Sequence, residues 1–207
     1  MNVRVYPITD TQISGISHAD QISLLADGGA TFIQLREKNR QALDFYDDAK
    51  AAFDVARQRG VTVIINDRVD VALALGADGV HLGQDDLPPG AARKLLGNDA
   101  IIGYSTHNVA QAIAAATLPV NYIAIGPIFQ TGTKVNPDPV VGLEGLRAVR
   151  KAISSKHLVA IGGITEENAA AVIEAGADSV AVISALLSAG PAAISARYRE
   201  LTSLLSQ

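Results

Sequence analysis

Two consecutive apolar runs of this chain end in carboxylates. Val61-Thr62-Val63-Ile64-Ile65 leads into Asn66-Asp67, and Gly79-Val80-His81-Leu82-Gly83 leads into Gln84-Asp85-Asp86. One short helical stretch, residues 70–75, lies between them, so both ends are expected as neighbours on one rim of a parallel sheet. Carboxylates meeting at such a rim suit a hard divalent cation such as Mg²⁺, which takes oxygen ligands and usually shares its shell with a phosphate. For any single Asp after a strand, helix capping or loop solvation competes with that reading. The preceding run tips the balance: Phe32-Ile33-Gln34-Leu35 ends in Arg36-Glu37-Lys38. Cations next to metal ligands make a diphosphate site.

A second anion site is expected further along. Ala160-Ile161-Gly162-Gly163-Ile164 is followed by Thr165-Glu166-Glu167, and a later strand ends in Val182-Ile183-Ser184. Two glycines let backbone approach a phosphate closely, and loops after the seventh and eighth strands of an α/β barrel are its usual phosphate site. The competing reading is a tight turn with Thr165 as helix cap. The segment Gly126-Pro127-Ile128-Phe129-Gln130-Thr131-Gly132-Thr133-Lys134 adds two hydroxyls and a mobile ammonium suited to anionic oxygens. Gly103-Tyr104-Ser105-Thr106-His107 contributes a hydroxyl and an imidazole. A lone His after a strand is more often a hydrogen-bonded structural residue than an acid or base. No Ser-His-Asp set and no lysine within a strand is apparent, so two facing anion sites suggest joining two phosphorylated molecules or moving a proton on one, and the metal cluster favours the first.

The elements that must hold these residues follow from hydrophobic periodicity. Strands are predicted over 3–8, 31–35, 61–65, 79–82, 101–104, 122–125, 158–161 and 179–183. Helices are predicted near 18–26, 42–59, 68–75, 88–96, 109–115, 142–153, 166–174 and 191–205. Eight strands alternating with eight helices predict an α/β fold, a single-domain (β/α)₈ TIM barrel over residues 1–207, with a doubly wound open sheet as competitor. Gly76-Ala77-Asp78-Gly79-Val80 and Gly176-Ala177-Asp178-Ser179-Val180 form a faint repeat, with Gly28-Gly29-Ala30 a looser version. These segments precede strands, so they read as structural, each Gly ending a helix in the left-handed conformation.

Composition fits that architecture. Hydrophobic residues make up 48% of 207 residues but aromatics only 4%, which favours β-branched parallel strands under Ala/Leu helices. A net charge of −4 gives no basic footprint for nucleic acid. With no cysteine, disulfides, thiolate metal sites and a Cys nucleophile are excluded. No apolar run approaches the ~20 residues that cross a bilayer, and no leader pattern precedes the first strand. A soluble, cytoplasmic protein without membrane or nucleic-acid partners is expected, and a homo-oligomer is compatible with the chain.

The motifs Gln34-Leu35-Arg36-Glu37-Lys38, Asn66-Asp67-Arg68, His81 to Pro88, Ser105-Thr106-His107, Gly126 to Phe129 with Thr131 to Lys134, Ala160 to Thr165 and Val182-Ile183-Ser184 together resemble the thiamine-phosphate synthase family. They occur in the family's order from the second strand to the eighth. The resemblance implies a transferase of thiamine biosynthesis. It would join 4-amino-2-methyl-5-hydroxymethylpyrimidine diphosphate to 4-methyl-5-(2-hydroxyethyl)thiazole phosphate, with Mg²⁺ helping the diphosphate to leave. Such a reaction asks for stabilisation of the leaving anion, shielding of a carbocation-like pyrimidine methylene from water, and positioning of the thiazole nitrogen.

Carried over residue by residue, the resemblance makes Asp67 and Asp86 metal ligands, with Asp85 behind them. It makes Arg36, Lys38, Asn66 and Lys134 diphosphate contacts. Gln34 and Ser105 fall beside the pyrimidine, and Thr131, Thr133, Gly163, Ile183 and Ser184 on the thiazole-phosphate side. Arg36, Lys38, Ser105 and Lys134 are the residues expected to act in catalysis. One departure is Gln130, where the family pattern leads one to expect Pro, and residues 135–141 read as a lid or an ordinary surface loop. The closest rival is a thiazole tautomerase, an isomerase on the same fold, which would carry a His like His107 but lack the diphosphate set. Phosphosugar isomerases and non-catalytic phosphometabolite binders are further rivals.

Overall fold

The computed structural model describes residues 3–38, 40–132, 138–153 and 155–206. Eight parallel strands pair in sequence order and β1 closes on β8, so the barrel prevails over the open sheet. The strands are β1 (Val5–Thr9), β2 (Phe32–Leu35), β3 (Thr62–Asn66), β4 (Gly79–Leu82), β5 (Ile101–Thr106), β6 (Tyr122–Ile125), β7 (His157–Ile161) and β8 (Ser179–Val182). Helices α1 (Thr11–Ser14), α2 (His18–Asp27), α3 (Ala42–Arg59), α4 (Val69–Leu75), α5 (Pro89–Leu96), α6 (Val109–Ala116), α7 (Gly142–Ile153), α8 (Ala169–Glu174), α9 (Ser184–Leu187) and α10 (Ile194–Leu204) connect and cover them. None is long and apolar enough to cross a membrane.

Period-two alternation splits the strand residues into two cores. Val5, Ile33, Leu35, Val63, Ile65, Val80, Leu82, Ile102 and Ile123 pack outward against the helices. Tyr6, Ile8, Phe32, Ile64, Tyr122, Ala124, Val159 and Ala181 fill the barrel itself. The helices answer with apolar stripes. In α3, Phe45, Ala49, Ala52, Phe53 and Ala56 are buried at helical spacing, and Gly60 at φ +66° ends the helix in the left-handed region. Full burial of Phe45 is worth about 1.5–3 kcal/mol.

The repeat before β4 and β8 does more than turn the chain. Asp78 Oδ2 accepts the backbone N–H of Val63 at 2.7 Å, and Asp178 Oδ2 accepts that of Leu158 at 2.8 Å. Each aspartate thus satisfies a backbone donor at the start of the preceding strand, which a closed barrel would otherwise leave orphaned. The glycines differ from expectation. Gly76 caps α4 at φ +61° as predicted, but α8 ends at Ala175 with Gly176 at φ +110°, and before β2 it is Gly29, not Gly28, that turns positive.

Three helical features depart from the sequence reading. α1 and α9 are four residues each, too short to register a 3.6-residue period. α8 starts at Ala169, not at residue 166, because Asn168 Oδ1 accepts Thr165 N–H at 2.9 Å and a turn occupies 166–168. The last helix is a 3₁₀ turn, Pro191–Ala193, followed by α10.

One interior position has no slack. Gly103 of β5 is paired with Tyr122 of β6, and a Cβ at Gly103 would lie 2.0 Å from Tyr122 Cζ. The absent side chain is what lets the Tyr122 ring cross the barrel. Gly103→Ala is therefore expected to cost about 3 kcal/mol or more by overpacking, read as a lowered denaturant midpoint. Gly90→Ala in α5, where a Cβ meets nothing within 4 Å, should instead gain about 0.5–1 kcal/mol.

Candidate active site

The C-terminal ends of the strands open into one cavity of about 480 Å³. Gln34, Arg36, Lys38, Asn66, Asp67, Asp86, Ser105, Thr131, Gly163, Ile183 and Ser184 all line it, as does Asp85. Thr133, Lys134 and residues 135–137 of the expected lid lie outside the described residues.

At the β2–β4 side, cations and carboxylates are interleaved. Arg36 Nη1 donates to Asp10 Oδ2 at 2.7 Å, while Asp10 Oδ1 caps α1 through the N–H groups of Gln12 and Ile13. The guanidinium is thereby aimed before any ligand arrives. Lys38 Nζ is ion-paired with Asp67 Oδ2. Asp67 has φ +63°, and its N–H donates to His81 O at 2.8 Å across the β3–β4 seam. Asp86 Oδ2 accepts the N–H of Gly83 at 2.7 Å. Burial above all, and then the nearby Asp67 carboxylate, push the Asp86 carboxyl above its ordinary range. Asp67 and Asp86 thus place two carboxylates side by side, oxygen donors of the kind a hard cation takes. Among the described residues no group of three or more His, Cys, Asp or Glu could hold a metal. Asn66 Nδ2 is buried without a hydrogen-bond partner beside the pair, a donor matched to an anionic oxygen.

Below this lies a buried polar chain. Gln34 Nε2 donates to Tyr6 OH at 2.9 Å, and Tyr6 OH and Tyr122 OH are 3.0 Å apart. Tyr122 OH meets His81 Nδ1 at 2.9 Å, and His81 Nε2 meets Ser105 Oγ at 2.8 Å. Burial lowers the His81 pKa from 6.5 to about 4, so the ring is neutral. Burial also holds both phenols far above the usual tyrosine range, so neither ionises.

On the opposite side, the β6 and β7 loops run together. Ile128 N–H donates to Ile161 O at 2.9 Å and Phe129 N–H to Gly162 O at 3.0 Å. Gly162 and Gly163, at φ +103° and +65°, are needed for this approach as well as for any anion: their Cβ atoms would lie 2.6 Å from Pro127 Cα and 2.5 Å from Gln130 O. Gln130 meets Gly163 through its backbone carbonyl, so the departure from Pro leaves that contact unchanged. His107 Nδ1 donates to Gly126 O at 2.7 Å and lies 3.5 Å from Asp138 Oδ2, which makes it an anchor of the β6 loop.

Sequence reasoning assigned no role to Asp10, Tyr6, Tyr122 or His81. The signal for the last three was present as polar residues at inward parity in otherwise apolar strands. Asp10 announced itself only as an Asp two residues before Gln12, at the cap of a helix too short to predict.

His81, His18 and His157 all have pKa values lowered, each chiefly by burial. A base whose folded pKa is depressed contributes stability that is present above its unfolded value and lost as pH falls toward the folded one. For His81 the window is 6.5 down to about 4, worth about 3 kcal/mol when fully traversed. Asp86, raised, works in the opposite sense. Metal-free protein should thus show a falling urea midpoint from pH 7 to pH 5; a flat midpoint would mean these imidazoles titrate normally.

Comparison with known proteins follows the same lines. A sequence profile described as thiamine monophosphate synthase matches residues 5–186. A thiamine-phosphate synthase of Chloroflexus aurantiacus is 46% identical over 204 residues, covering 98% of this chain and 93% of its own. That of Koribacter versatilis is 53% identical over 163 residues, 79% of this chain and 76% of its own. A solved thiamine phosphate pyrophosphorylase of Pyrococcus furiosus superposes with a TM-score of 0.87 at 34% identity, covering 99% of this chain and 96% of its own. By profile, identity and fold, this chain belongs to the thiamine monophosphate synthase family.

Proposed function

We propose that this chain transfers the 4-amino-2-methylpyrimidin-5-ylmethyl group from its diphosphate to the nitrogen of 4-methyl-5-(2-hydroxyethyl)thiazole phosphate, giving thiamine phosphate and diphosphate. The observation that supports this is one cavity lined on two sides by different kinds of anion-compatible groups. Arg36, Lys38, Asn66, Asp67 and Asp86 stand at one end, and Gly163, Ile183 and Ser184 at the other. An isomerase acting on one phosphate has no use for the first end, and the named relatives support the synthase rather than a thiazole tautomerase.

In this reading Asp67 and Asp86 hold Mg²⁺. When bound there, the ion would supply positive charge to offset that of a departing diphosphate. Arg36, prealigned by Asp10, and Lys38 bind the diphosphate oxygens, and Asn66 Nδ2 gains the partner it lacks. Lys134 is assigned to the same anion. Gln34 and Ser105 orient the pyrimidine ring so that its methylene faces the thiazole. Thr131, Thr133, Gly163, Ile183 and Ser184 hold the thiazole phosphate, the last three partly through backbone groups. The apolar floor of Ile8, Ala124, Val159 and Ala181 keeps water from the electron-poor methylene. No protein base is required, since the nucleophile is a ring nitrogen with a free lone pair.

The test is direct. Purified protein given both substrates and Mg²⁺ should form thiamine phosphate, and chelation of the metal should stop it; no product with metal present sinks the reading. Asp67→Asn suits the ligand test better than Asp67→Ala, because Asn tolerates the left-handed backbone at φ +63°. Asp67→Asn and Asp86→Asn should each lower kcat/KM by about 100-fold or more with an unchanged far-UV spectrum. Full activity in both would remove the pair from metal binding.

A further inference from the structure

The five side chains that link Gln34 to Ser105 come from five strands, β2, β1, β6, β4 and β5. We propose that Tyr6, Tyr122 and His81 are positioning residues that fix the direction of this chain, so that Ser105 meets the substrate only as a hydrogen-bond donor. This rests on the proposed function, in which that end of the cavity holds the aminopyrimidine.

The direction follows link by link. An amide nitrogen only donates, so at 2.9 Å the Tyr6 oxygen is the acceptor from Gln34 Nε2. The Tyr6 proton then goes to Tyr122 OH, its other neighbour at 3.0 Å. Tyr122, already an acceptor, donates to His81 Nδ1 at 2.9 Å. A neutral imidazole that accepts at Nδ1 carries its proton on Nε2, which donates to Ser105 Oγ at 2.8 Å. The Ser105 proton is left to point into the cavity, and the serine backbone is held by Gln84 Nε2 on Ser105 O.

The origin of the direction lies in Gln34. Turned over, its amide would accept from Tyr6 and reverse every bond, leaving Ser105 as an acceptor. The charges around it decide between the two. Gln34 lines the same cavity as Arg36, Lys38 and Asn66, whose Nδ2 is an unpaired donor, and a surrounding so rich in donors and positive charge favours the amide oxygen over its NH₂ group on the cavity side. With the chain so oriented, the cavity offers a carbonyl oxygen from Gln34 and a proton from Ser105. That pair complements a ring nitrogen beside an amino group, the edge an aminopyrimidine presents. A ligand with the opposite order would leave both protein groups unpaired.

Two measurements test this. In ligand-free protein labelled with ¹⁵N-histidine, His81, one of four histidines, should show a protonated Nε2 and a bare Nδ1. A proton on Nδ1 would reverse the chain and overturn the proposal. Second, Tyr122→Phe keeps the ring but removes the link. It should raise KM for the pyrimidine diphosphate about tenfold and leave KM for the thiazole phosphate unchanged. In a Ser105→Ala background the same substitution should add less than about twofold, since its effect passes through Ser105. Equal effects in both backgrounds, or an equal rise in both KM values, would mean a merely structural role and overturn the proposal. If Tyr122→Phe does not fold, Tyr6→Phe breaks the same chain one link earlier and should give the same pattern. Wild-type protein that forms no thiamine phosphate would refute the proposed function instead, and the ligand-free ¹⁵N spectrum would still judge the chain.

Discussion

Polar side chains inside a closed eight-stranded barrel must satisfy one another, and the hydrogen bond between Tyr6 and Tyr122 is where this protein meets that demand. It joins β1 to β6, strands that do not touch, at 3.0 Å through the interior. The bond requires a tyrosine ring lying across the barrel, and the ring requires that β5 carry no side chain at Gly103. A glycine in one strand therefore makes room for a tyrosine in the next, which orients a histidine on a third. An unsatisfied buried hydroxyl or imidazole would cost about 1–3 kcal/mol, so the five groups are bound to be retained or lost as a set.

Above this polar layer the rim is divided by charge. Cations follow β2 and carboxylates follow β3 and β4, and both β2 cations are already paired: Arg36 with Asp10, Lys38 with Asp67. These pairs keep long side chains near their working positions without ligand, and exchange partners when an anion and a cation enter together. Across the cavity the described parts of the loops after β6 and β7 meet through backbone, held in register by two hydrogen bonds and two close-packed glycines. In the proposed reading, a diphosphate with its metal and a monophosphate without one ask for that difference.

The barrel was legible because its strands are short apolar runs at regular spacing and its long helices carry clean stripes. The bounds of α3, α7, β4 and β6 coincide with those read from the sequence. The gathering of the rim residues around one cavity was legible too, since charged residues directly after apolar runs have no reason to be there for packing. The interior was not. Tyr6, His81 and Tyr122 show inward parity, but which of them meet depends on closure and on the space at Gly103, neither of which a one-dimensional pattern contains. Gly162 and Gly163 were read as an anion cradle or a tight turn, and not as a packing contact, because the loop that packs on them, Pro127 to Gln130, is distant in the chain. α1 and α9 escaped because four residues do not make a period, and with α1 went the role of Asp10.

The buried polar layer and the charged rim above it are not independent, because both are fastened to His81. Its side chain closes the buried chain onto Ser105, while its backbone carbonyl accepts the N–H of Asp67 at 2.8 Å. Asp67 is the one non-glycine residue at positive φ among the described residues, at +63°, a conformation costing about 1–2 kcal/mol for most L-residues but less for Asp. That strain turns the chain sharply after β3, with Arg68 N–H returning to Asn66 O at 2.7 Å, and it lifts the carboxylate over the rim instead of into the helix layer. Any displacement of β4 that moved the His81 ring would move the Asp67 turn with it. The Ser105 hydroxyl and the Asp67 carboxylate are thus kept at a fixed separation by a single residue, which suits the proposed reading, in which one orients a ring and the other serves the diphosphate leaving it.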